Sequence, residues 1–345
     1  MEVLKDGKIL VIQTAFIGDA VLTLPMIQKL KELFSLTQVD VVCIPATAEI
    51  FESSTYVDNV LIYDKHGKQK SLFQLRIFAN NIKKRKYTRI YSPHRSFRTA
   101  MIVMLSGVKE TYGFSNSSFK YVYRNLIEYH LNKHEVQRNL DLIGFRYSEL
   151  NWKILPEIKV DESVKKTAHS FLSLLDGNKL AAVAPGAVWN TKIFPADYYC
   201  ELIKFLRDKF YNIILIGSVS DEKLCSEIES KFEKGVISSA GKFSIAGTIE
   251  ILKNCKLLIT NDSAPTHFAM AANIPALTIY CSTIPDFGFY PYNEKSLNVS
   301  YNDLDCKPCG IHGHRSCPVK TFDCAHKLDI EQIKKMIANI LDYEI

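Results

Sequence analysis

The 345-residue sequence lacks several patterns that would assign it to a class directly. Its longest apolar runs are only of strand length, so no membrane-spanning helix is expected. The first strand candidate, KILVIQ, is followed by neither a G-x-G-x-x-G pattern nor a Walker lysine. The N-terminal stretch, MEVLKDGKIL, has no basic flank followed by an apolar core, so no signal peptide is expected and a cytoplasmic location follows.

Acidic residues are absent from residues 65–98, which hold eleven Lys and Arg. The formal net charge of the chain is +6, and removing the eleven cations of this segment leaves −5 for the rest. Such a segment is either a solvated helix face or a docking surface for a polyanion. Nucleic acid, a phosphorylated glycolipid and an acidic membrane surface are the candidate polyanions.

Length and composition indicate an ordinary globular chain with more than one domain. The sequence is 47% hydrophobic and 23% charged, which supplies enough apolar material for two cores. In a cytoplasmic protein the nine cysteines are expected to be reduced thiols or metal ligands rather than disulfides.

Short β-branched runs alternate with helix-like stretches along most of the chain, which predicts a mostly parallel sheet with helices on both faces. The alternation blurs between about 115 and 178 and restarts at LAAVAPG. We therefore expect two doubly wound Rossmann-like domains facing each other across a cleft, with a boundary near residue 170. Pro25 either opens the first helix, after a separate short turn, or kinks it.

Ligands in doubly wound sheets bind beyond the carboxyl ends of the strands, so the residues directly after each strand are the candidates. Asp19 follows the first strand, where a phosphate-binding loop would have glycines. Lys192 follows LAAVAPG as a candidate phosphate ligand or an ordinary solvent-facing lysine. Asp221 and Glu222 follow NIILIG as helix caps or ribose ligands.

The fourth loop of the C-terminal half, NDSAPTH, opens a helix of small residues. Asp262 or Ser263 can cap this helix, and its N-terminal amides suit a diphosphate. His267 is either a donor to a phosphate or sugar oxygen or a satisfied core histidine.

Five stretches resemble, in order, the signatures of the lipopolysaccharide heptosyltransferase family (glycosyltransferase family 9), especially its heptosyltransferase II branch. They are GDAVLTLP, HRSFRTA, HEVQRNLDL, PGAVWNTKIFP and TNDSAPTHFAMAANIPALTIY. The resemblance spans nearly the whole chain and implies a GT-B fold. It implies an N-terminal acceptor domain over 1–170, a C-terminal donor domain over 171–328, and a helix over 329–345 that packs back across the domains.

The resemblance further implies the chemistry and its residues. The donor would be ADP-L-glycero-D-manno-heptose, the acceptor the inner core on lipid A, and no metal or other cofactor would be required. Asp19 would be the catalytic base of a single inverting displacement, kept ionised by the helix N-terminus. The donor side would comprise Lys192, Gly217, Asp221, Glu222, Asp262, Ser263, Ala264 and His267.

The resemblance gives the basic segment an acceptor role, because lipid A and its sugars carry phosphates and carboxylates. The acceptor candidates are Gly18, His94, Arg95, Ser96 and Arg98. Residues 83–86, Lys-Lys-Arg-Lys, are expected to meet the anionic inner membrane surface, which makes the protein peripheral on its cytoplasmic face. For His134, Glu135 and Arg138, acceptor binding and interdomain structure both stay open, as do the acceptor sugar and the oligomeric state.

A cysteine cluster occupies CKPCGIHGHRSCPVKTFDC, with Cys306, Cys309, Cys317 and Cys324. Its C-x-x-C opening is typical of zinc sites, but the later spacings are irregular. We expect a loop packed with thiols, with bound zinc as the alternative.

Two other functions fit parts of the pattern. Another GT-B enzyme, a UDP-sugar transferase or epimerase, would share the fold and change the donor. A basic nucleic-acid-binding protein with a zinc-stabilised tail would explain the charge, but no helix-turn-helix, RRM or OB pattern is visible and no nucleic-acid partner is expected.

Overall fold

The structure is a computed structural model that describes residues 7–177 and 179–342. The chain divides into two compact units, residues 1–159 and 160–345. This division lies just before the helix at residues 162–172, whereas the sequence pattern suggested a boundary near 170. That helix packs against a helix of the second unit, at residues 245–253, and so belongs with it.

The first unit is built on a six-stranded parallel sheet. Its strands are β1 (Lys8–Ile12), β2 (Gln38–Cys43), β3 (Asn59–Ile62), β4 (Arg89–Ser92), β5 (Glu110–Phe114) and β6 (Asn125–Ile127). Its helices are α1 (Ile17–Leu33), α2 (Ala48–Glu52), α3 (Leu72–Lys84), α4 (Phe97–Ser106) and α5 (Glu135–Leu142). The strand order is β3-β2-β1-β4-β5-β6.

The second unit repeats this plan on another six-stranded parallel sheet. Its strands are β7 (Leu180–Ala184), β8 (Asn212–Leu215), β9 (Val236–Ser238), β10 (Leu258–Asn261), β11 (Ala276–Tyr280) and β12 (Leu297–Ser300). Its helices are α6 (Glu162–Leu172), α7 (Ala196–Asp208), α8 (Glu222–Glu229), α9 (Ile245–Lys253), α10 (Ala264–Ala272), α11 (Asp323–His326) and α12 (Ile330–Ile340).

In the second unit the order is β12-β11-β10-β7-β8-β9. In both sheets the chain adds its first three strands toward one edge and its last three toward the other, so the strand order switches between the first and fourth strands. The central strands β7 and β11 are buried along their whole length, as parallel strands covered on both faces must be. The predicted pair of doubly wound sheets is confirmed. Topology places a candidate binding position beyond the β1/β4 exits in one unit and beyond the β7/β10 exits in the other.

Helix α1 is continuous through Pro25, without a separate first turn. Proline cannot donate the usual backbone hydrogen bond at this position. Independently of Pro25, Asn139 of α5 donates its Nδ2 to the Leu22 carbonyl of α1 at 3.1 Å. This contact, buried on both sides, joins α5 to the helix that carries Asp19.

Helix α12 packs into the core of the second unit and contacts α7. Ile333 and Ile337 are fully buried there, as the helical spacing of the apolar residues predicts. Residues 343–345 of the predicted helix lie outside the described residues, and its passage across the domains stays a prediction. No helix in the described ranges combines the length and apolar character needed to cross a membrane.

Candidate active site

Asp19 lies in the first turn of α1, directly beyond the exit of β1, and is partly buried. Its pKa is raised to about 7, first because burial desolvates the carboxylate and second because of the negative charge of Glu135. Backbone N–H groups of Phe16 and Asp19 and the charge of Arg95 oppose this rise. We expected the helix N-terminus to keep this carboxylate ionised; the helix amides do favour the ionised form, but desolvation outweighs them.

A buried ion pair stands next to Asp19. Glu135 and Arg138, one turn apart on α5, are 5% and 1% exposed, and the Glu135 Oε2 accepts from Arg138 Nη1 at 2.9 Å. The hydroxyl of Tyr129 donates to the same oxygen at 2.9 Å. Arg138 also donates from Nη1 to the Tyr129 hydroxyl at 2.9 Å, and from Nε and Nη2 to the carbonyls of residues 130 and 131, so its buried charge has several hydrogen-bond partners.

The ring of Tyr129 links this pair to Arg95. The guanidinium carbon of Arg95 lies 4.0 Å from the ring centroid, and that of Arg138 lies 4.5 Å from it. A guanidinium stacked on an aromatic ring is held in place while its N–H groups still point outward. Arg95 is thereby presented near Asp19, whose pKa it lowers.

His134, the third residue of this motif, has a structural part. It is buried at the N-cap of α5, where its Nδ1 accepts from the Val136 N–H at 3.2 Å. The side chain of Gln137 accepts in return from the His134 N–H at 2.8 Å. The His134 ring also packs on Trp152, with 5.1 Å between ring centroids, so His134 fixes the start of the helix that positions Glu135 and Arg138.

His94 belongs to a hydroxyl cluster at the exits of β1 and β4. Its Nδ1 lies 2.7 Å from Thr14 Oγ1, 3.0 Å from Thr99 Oγ1 and 3.4 Å from Ser96 Oγ. Burial, with the nearby charges of Lys65 and Arg95, lowers the pKa of His94 to about 4, so the ring is neutral near pH 7. Ser96 is also the N-cap of α4.

Arg98 is more committed to the fold than its sequence motif suggests. Its Nη1 donates to the Tyr63 hydroxyl at 2.9 Å, and its Nη2 donates to the Lys70 carbonyl. Lys65, from the same loop, donates to the Thr14 carbonyl at 2.7 Å. Arg98 therefore anchors the loop of residues 63–70 beside the β1 exit, where Gly18 opens α1 together with Asp19.

In the second unit, Lys192 and Asp262 form a largely buried ion pair. Lys192 Nζ lies 2.6 Å from Asp262 Oδ2 and also donates to the Asp262 carbonyl at 3.2 Å. The Thr283 hydroxyl donates to Oδ2 at 2.7 Å. The post-strand loops after β7, β10 and β11 thus meet in one place, as their topology predicts.

Asn261 connects β10 to the loop that carries Lys192 by three hydrogen bonds. Its Oδ1 accepts from the Phe194 N–H at 3.0 Å and the Tyr199 hydroxyl at 2.9 Å, while its Nδ2 donates to the Pro185 carbonyl at 2.8 Å. The last residue of β10 therefore holds both ends of the loop that carries Lys192.

Helix α10 begins beside this pair, at Ala264. Among the described residues, no side chain caps its first turn, although Ser263 occupies the N-cap position. His267, in that turn, is buried and its Nδ1 has no hydrogen-bond partner within the described ranges. Burial lowers its pKa to about 4, so the ring is neutral. The turn offers amide N–H groups and one unused ring nitrogen.

The two acids after β8 have different surroundings. Asp221 accepts from the Ser218 N–H at 2.8 Å and the Ser218 hydroxyl at 2.7 Å, which is a cap, and it packs against Gly186 and Gly217. Glu222 opens α8 with its carboxylate against Gly241. Of the two, Glu222 has the carboxylate that is not already used as a cap.

The cysteine cluster shows no metal geometry. All nine cysteines are described and are free thiols. In residues 7–177 and 179–342, no three His, Cys, Asp or Glu side chains are arranged to hold a metal ion.

Comparison with known proteins places these features in a family. A family model described as glycosyltransferase family 9 (heptosyltransferase) matches residues 75–338. The chain belongs to this family. It is therefore a glycosyltransferase, as the five ordered sequence motifs suggest.

Individual relatives agree with this assignment. The glycosyltransferase is 25% identical over 299 residues to lipopolysaccharide heptosyltransferase 2 of Escherichia coli, covering 81% of this chain and 84% of that protein. It is 23% identical over 338 residues to lipooligosaccharide heptosyltransferase 2 of Campylobacter jejuni, covering 95% and 99%.

A solved structure with a similar fold is that of E. coli ADP-heptose lps heptosyltransferase II. The TM-score is 0.79 at 20% identity, over 97% of this chain and 99% of that one. The predicted GT-B fold is confirmed.

Sequence reasoning missed part of the site. Tyr129, Thr283 and Asn261 drew no attention, because their roles depend on neighbours distant in sequence. For Glu135 and Arg138 a signal existed in their i, i+3 spacing on a predicted helix, which favours an ion pair.

Proposed function

We propose that this glycosyltransferase moves heptose from ADP-L-glycero-D-manno-heptose to the inner core of lipopolysaccharide on lipid A. The observation that carries the proposal is Asp19, a carboxyl group at a strand exit with a pKa raised to about 7. The names of the relatives support the sugar and the acceptor class. No metal or other cofactor has a step in the proposed reaction.

Asp19 is the proposed general base. A base works best when its pKa is near the working pH, because it is then ionised yet still basic enough to take a proton. In the reaction, the Asp19 carboxylate removes the proton of the acceptor hydroxyl as that oxygen attacks the anomeric carbon. The bond from that carbon to the ADP phosphate breaks in the same step, which inverts its configuration.

A covalent glycosyl-enzyme would need a second carboxylate as nucleophile. Glu135 is a carboxylate close to Asp19, but it is buried and already accepts from Arg138 and Tyr129. We therefore assign Glu135 to the tuning of Asp19 and retain the single displacement.

The donor side of the proposal is the second unit. Lys192 and the first-turn amides of α10, from Ser263 and Ala264 onward, take the diphosphate and stabilise the charge that develops on the leaving ADP. Asp262 holds Lys192 and offers oxygens to sugar hydroxyls, and His267 supplies its unused nitrogen. Glu222 is assigned to the ribose, with Gly217 on the same donor-side loop, and Asp221, which packs against Gly217, supports the loop as a cap.

The acceptor side of the proposal is the first unit. Arg95 is held on the Tyr129 ring with outward-facing donors, which suits a phosphate or carboxylate of the glycolipid. His94 and Ser96 offer neutral hydrogen-bonding groups, Gly18 lets the acceptor approach Asp19, and Arg98 keeps the neighbouring loop in place.

Helix α3 is the proposed contact with the membrane. Leu72 and Phe73 at its start are 65% and 70% exposed, and Ile77, one turn on, is exposed as well. Seven exposed cations lie on and around this helix, and none pairs with an acid in the described part of the chain: Lys68, Lys70, Arg76, Lys83, Lys84, Arg85 and Lys86. Exposed apolar side chains ringed by cations fit an anionic bilayer, so we place the protein on the cytoplasmic face of the inner membrane.

One experiment tests the reaction. ADP-heptose is incubated with truncated core acceptors and wild-type, Asp19→Asn or Glu162→Gln protein. Glu162 is the matched control, since it is also an acid in the first turn of a helix but is 78% exposed. Asp19→Asn should abolish transfer and retain ADP affinity, whereas Glu162→Gln should behave as wild type. Preferential binding of UDP over ADP would instead favour a different donor.

A second experiment tests the membrane contact. Vesicles with phosphatidylglycerol should sediment the wild type, and vesicles of phosphatidylcholine alone should not. The double variant Leu72→Ser, Phe73→Ser should lose this binding. The control is Leu174→Ser, Phe210→Ser, which removes a leucine and a phenylalanine of the second unit that are at least as exposed as Leu72 and Phe73. Equal loss in both double variants would refute the role of α3.

A further inference from the structure

The segment 309–314, inside the cysteine cluster, lies directly on the loop that carries Lys192. We propose that the segment is a positioning element that holds the Lys192 loop in its donor-binding geometry, with Gly313 as its critical residue. The inference rests on the proposed function in one respect, that Lys192 contacts the donor diphosphate.

Three hydrogen bonds join the segment to the residue before Lys192. The Thr191 N–H donates to the His314 carbonyl at 3.1 Å, and the Thr191 hydroxyl donates to the same oxygen at 3.1 Å. The His314 N–H donates to the Thr191 hydroxyl at 2.8 Å. Thr191 is itself buried and the bonds to His314 are part-buried, so they fix the position of the loop that carries Lys192.

Further contacts extend the joint on both sides. The ring of His312 stacks on Trp189, with 6.4 Å between centroids and an interplanar angle of 19°. The Cys309 N–H donates to the carbonyl of Ser282, just beyond β11, at 2.8 Å. The segment therefore bridges the loops that follow β7 and β11.

The start of the segment is anchored independently. Lys307 is partly buried, and its Nζ donates to the Tyr280 carbonyl at 2.8 Å, the Ser300 hydroxyl at 2.7 Å and the Tyr301 carbonyl at 2.9 Å. Because all three N–H donors of the ammonium are used, the Lys307 side chain is held in one position. The segment thus leaves the ends of β11 and β12 from a rigid base and reaches the Lys192 loop within a few residues.

Gly313 is the point of closest approach. Its φ is +79°, and a Cβ built on it would lie 2.9 Å from Thr191 Oγ1, 3.0 Å from Ser282 Oγ and 3.4 Å from Lys192 Cγ. Any side chain here must push Thr191 or Ser282 aside, because both are buried. The displacement would pass directly to Lys192.

Gly310 provides a matched control within the same segment. Its φ is +77°, nearly that of Gly313, but a Cβ built on it meets nothing within 4 Å. Alanine at either position therefore carries the same backbone strain, and only alanine at 313 adds the collision with the Lys192 loop. Comparison of the two variants isolates the contact from the strain.

The experiment compares wild type, Gly313→Ala, Gly310→Ala and Thr191→Val. Thr191→Val keeps the shape of the side chain and the backbone bond but removes the two bonds made by the hydroxyl. Two quantities are measured, the hydrogen-exchange rate of residues 188–193 without ligand and the affinity for ADP by calorimetry. Turnover with ADP-heptose separates KM for the donor from kcat.

We expect Gly313→Ala and Thr191→Val to speed hydrogen exchange at Thr191, to lower the affinity for ADP and to raise the KM for the donor. For Gly313→Ala, kcat/KM should fall by about tenfold to hundredfold. Gly310→Ala should match wild type in all three. If wild type binds ADP and Gly313→Ala binds it equally well, the inference is overturned and the proposed function stands. If wild type itself binds no ADP, the proposed function fails, and the donor-binding role of the segment fails with it.

Discussion

The replacement Asp19→Asn should stabilise the protein while abolishing its activity. The folded-state pKa of Asp19 is about 7, against an ordinary value of 3.8, because the site desolvates the carboxylate. For an acid with a raised pKa, the folded state holds the proton more tightly than the unfolded state. Folding stability therefore falls as pH rises from about 4 to about 7 and stays at the lower level above that.

The size of the effect follows from the shift. A difference of about 3 pKa units corresponds to about 4 kcal/mol at pH 8, and about 2 to 4 kcal/mol after allowance for the partial exposure of Asp19. At pH 5 only about two-fifths of this penalty is present, since the folded-state carboxyl is still protonated there. Asn has no charge to desolvate, so it removes the penalty at both values of pH.

Scanning calorimetry of wild type and Asp19→Asn at pH 5 and pH 8 measures this directly. The transition temperature of the first unit should rise by about 5 to 10 °C at pH 8 and by about two-fifths as much at pH 5. In parallel, kcat of the variant should fall by about 10² to 10⁴. Wild-type kcat/KM should rise about tenfold between pH 6 and pH 8, as Asp19 ionises. A destabilised variant, or a gain independent of pH, would refute the burial argument.

Three further predictions concern other parts of the molecule. Glu135→Gln should shift the rise of kcat/KM to lower pH, because the Glu135 charge raises the pKa of Asp19. The control, Glu128→Gln at an exposed acid, should leave the pH profile unchanged, and an equal shift in both variants would contradict the assignment. Lys192→Met should lower the affinity for ADP, measured by calorimetry, by about tenfold or more, whereas Lys204→Met, on an exposed face of α7, should leave it unchanged. Ile333→Ala should cost about 2 to 5 kcal/mol in chemical denaturation, because Ile333 is fully buried, against less than about 0.5 kcal/mol for exposed Lys335→Ala.

The fold was accessible from the sequence because the central strands are buried on both faces. Such strands have no polar face, so runs such as LAAVA and ALTIY stand out between amphipathic helices. Once the strands were located, the rule of the carboxyl ends brought Asp19, Lys192 and Asp262 forward as candidates. These three residues were found because each follows a strand, and the carboxyl ends of parallel strands lie at one edge of the sheet.

The electrostatics of the site were not accessible in the same way. The raised pKa of Asp19 depends on how completely its surroundings exclude water and on Glu135, which is more than a hundred residues away in sequence. Likewise, Arg98 carries the same charge as Arg95, yet its neighbours turn it toward Tyr63 and the loop beneath, while Arg95 stacks on Tyr129. The sequence shows which residues are charged, but the contacts of each charged group depend on the packing around it.

The two units use one topology with opposite signs of charge. In the first unit the exit of the first strand carries an acid, Asp19, and the exit of the fourth carries a cation, Arg95. In the second unit the exit of the first strand, β7, carries a cation, Lys192, and the exit of the fourth, β10, carries an acid, Asp262. Adjacent parallel strands bring each acid near a cation, so the two groups interact electrostatically in each unit before any ligand binds. The difference lies in contact distance: Lys192 and Asp262 touch at 2.6 Å, whereas Arg95 is held on Tyr129 and only lowers the pKa of Asp19. A base must stay unpaired to accept a proton, while a phosphate ligand works best when it is already held in place, and the two exits differ as those two tasks require.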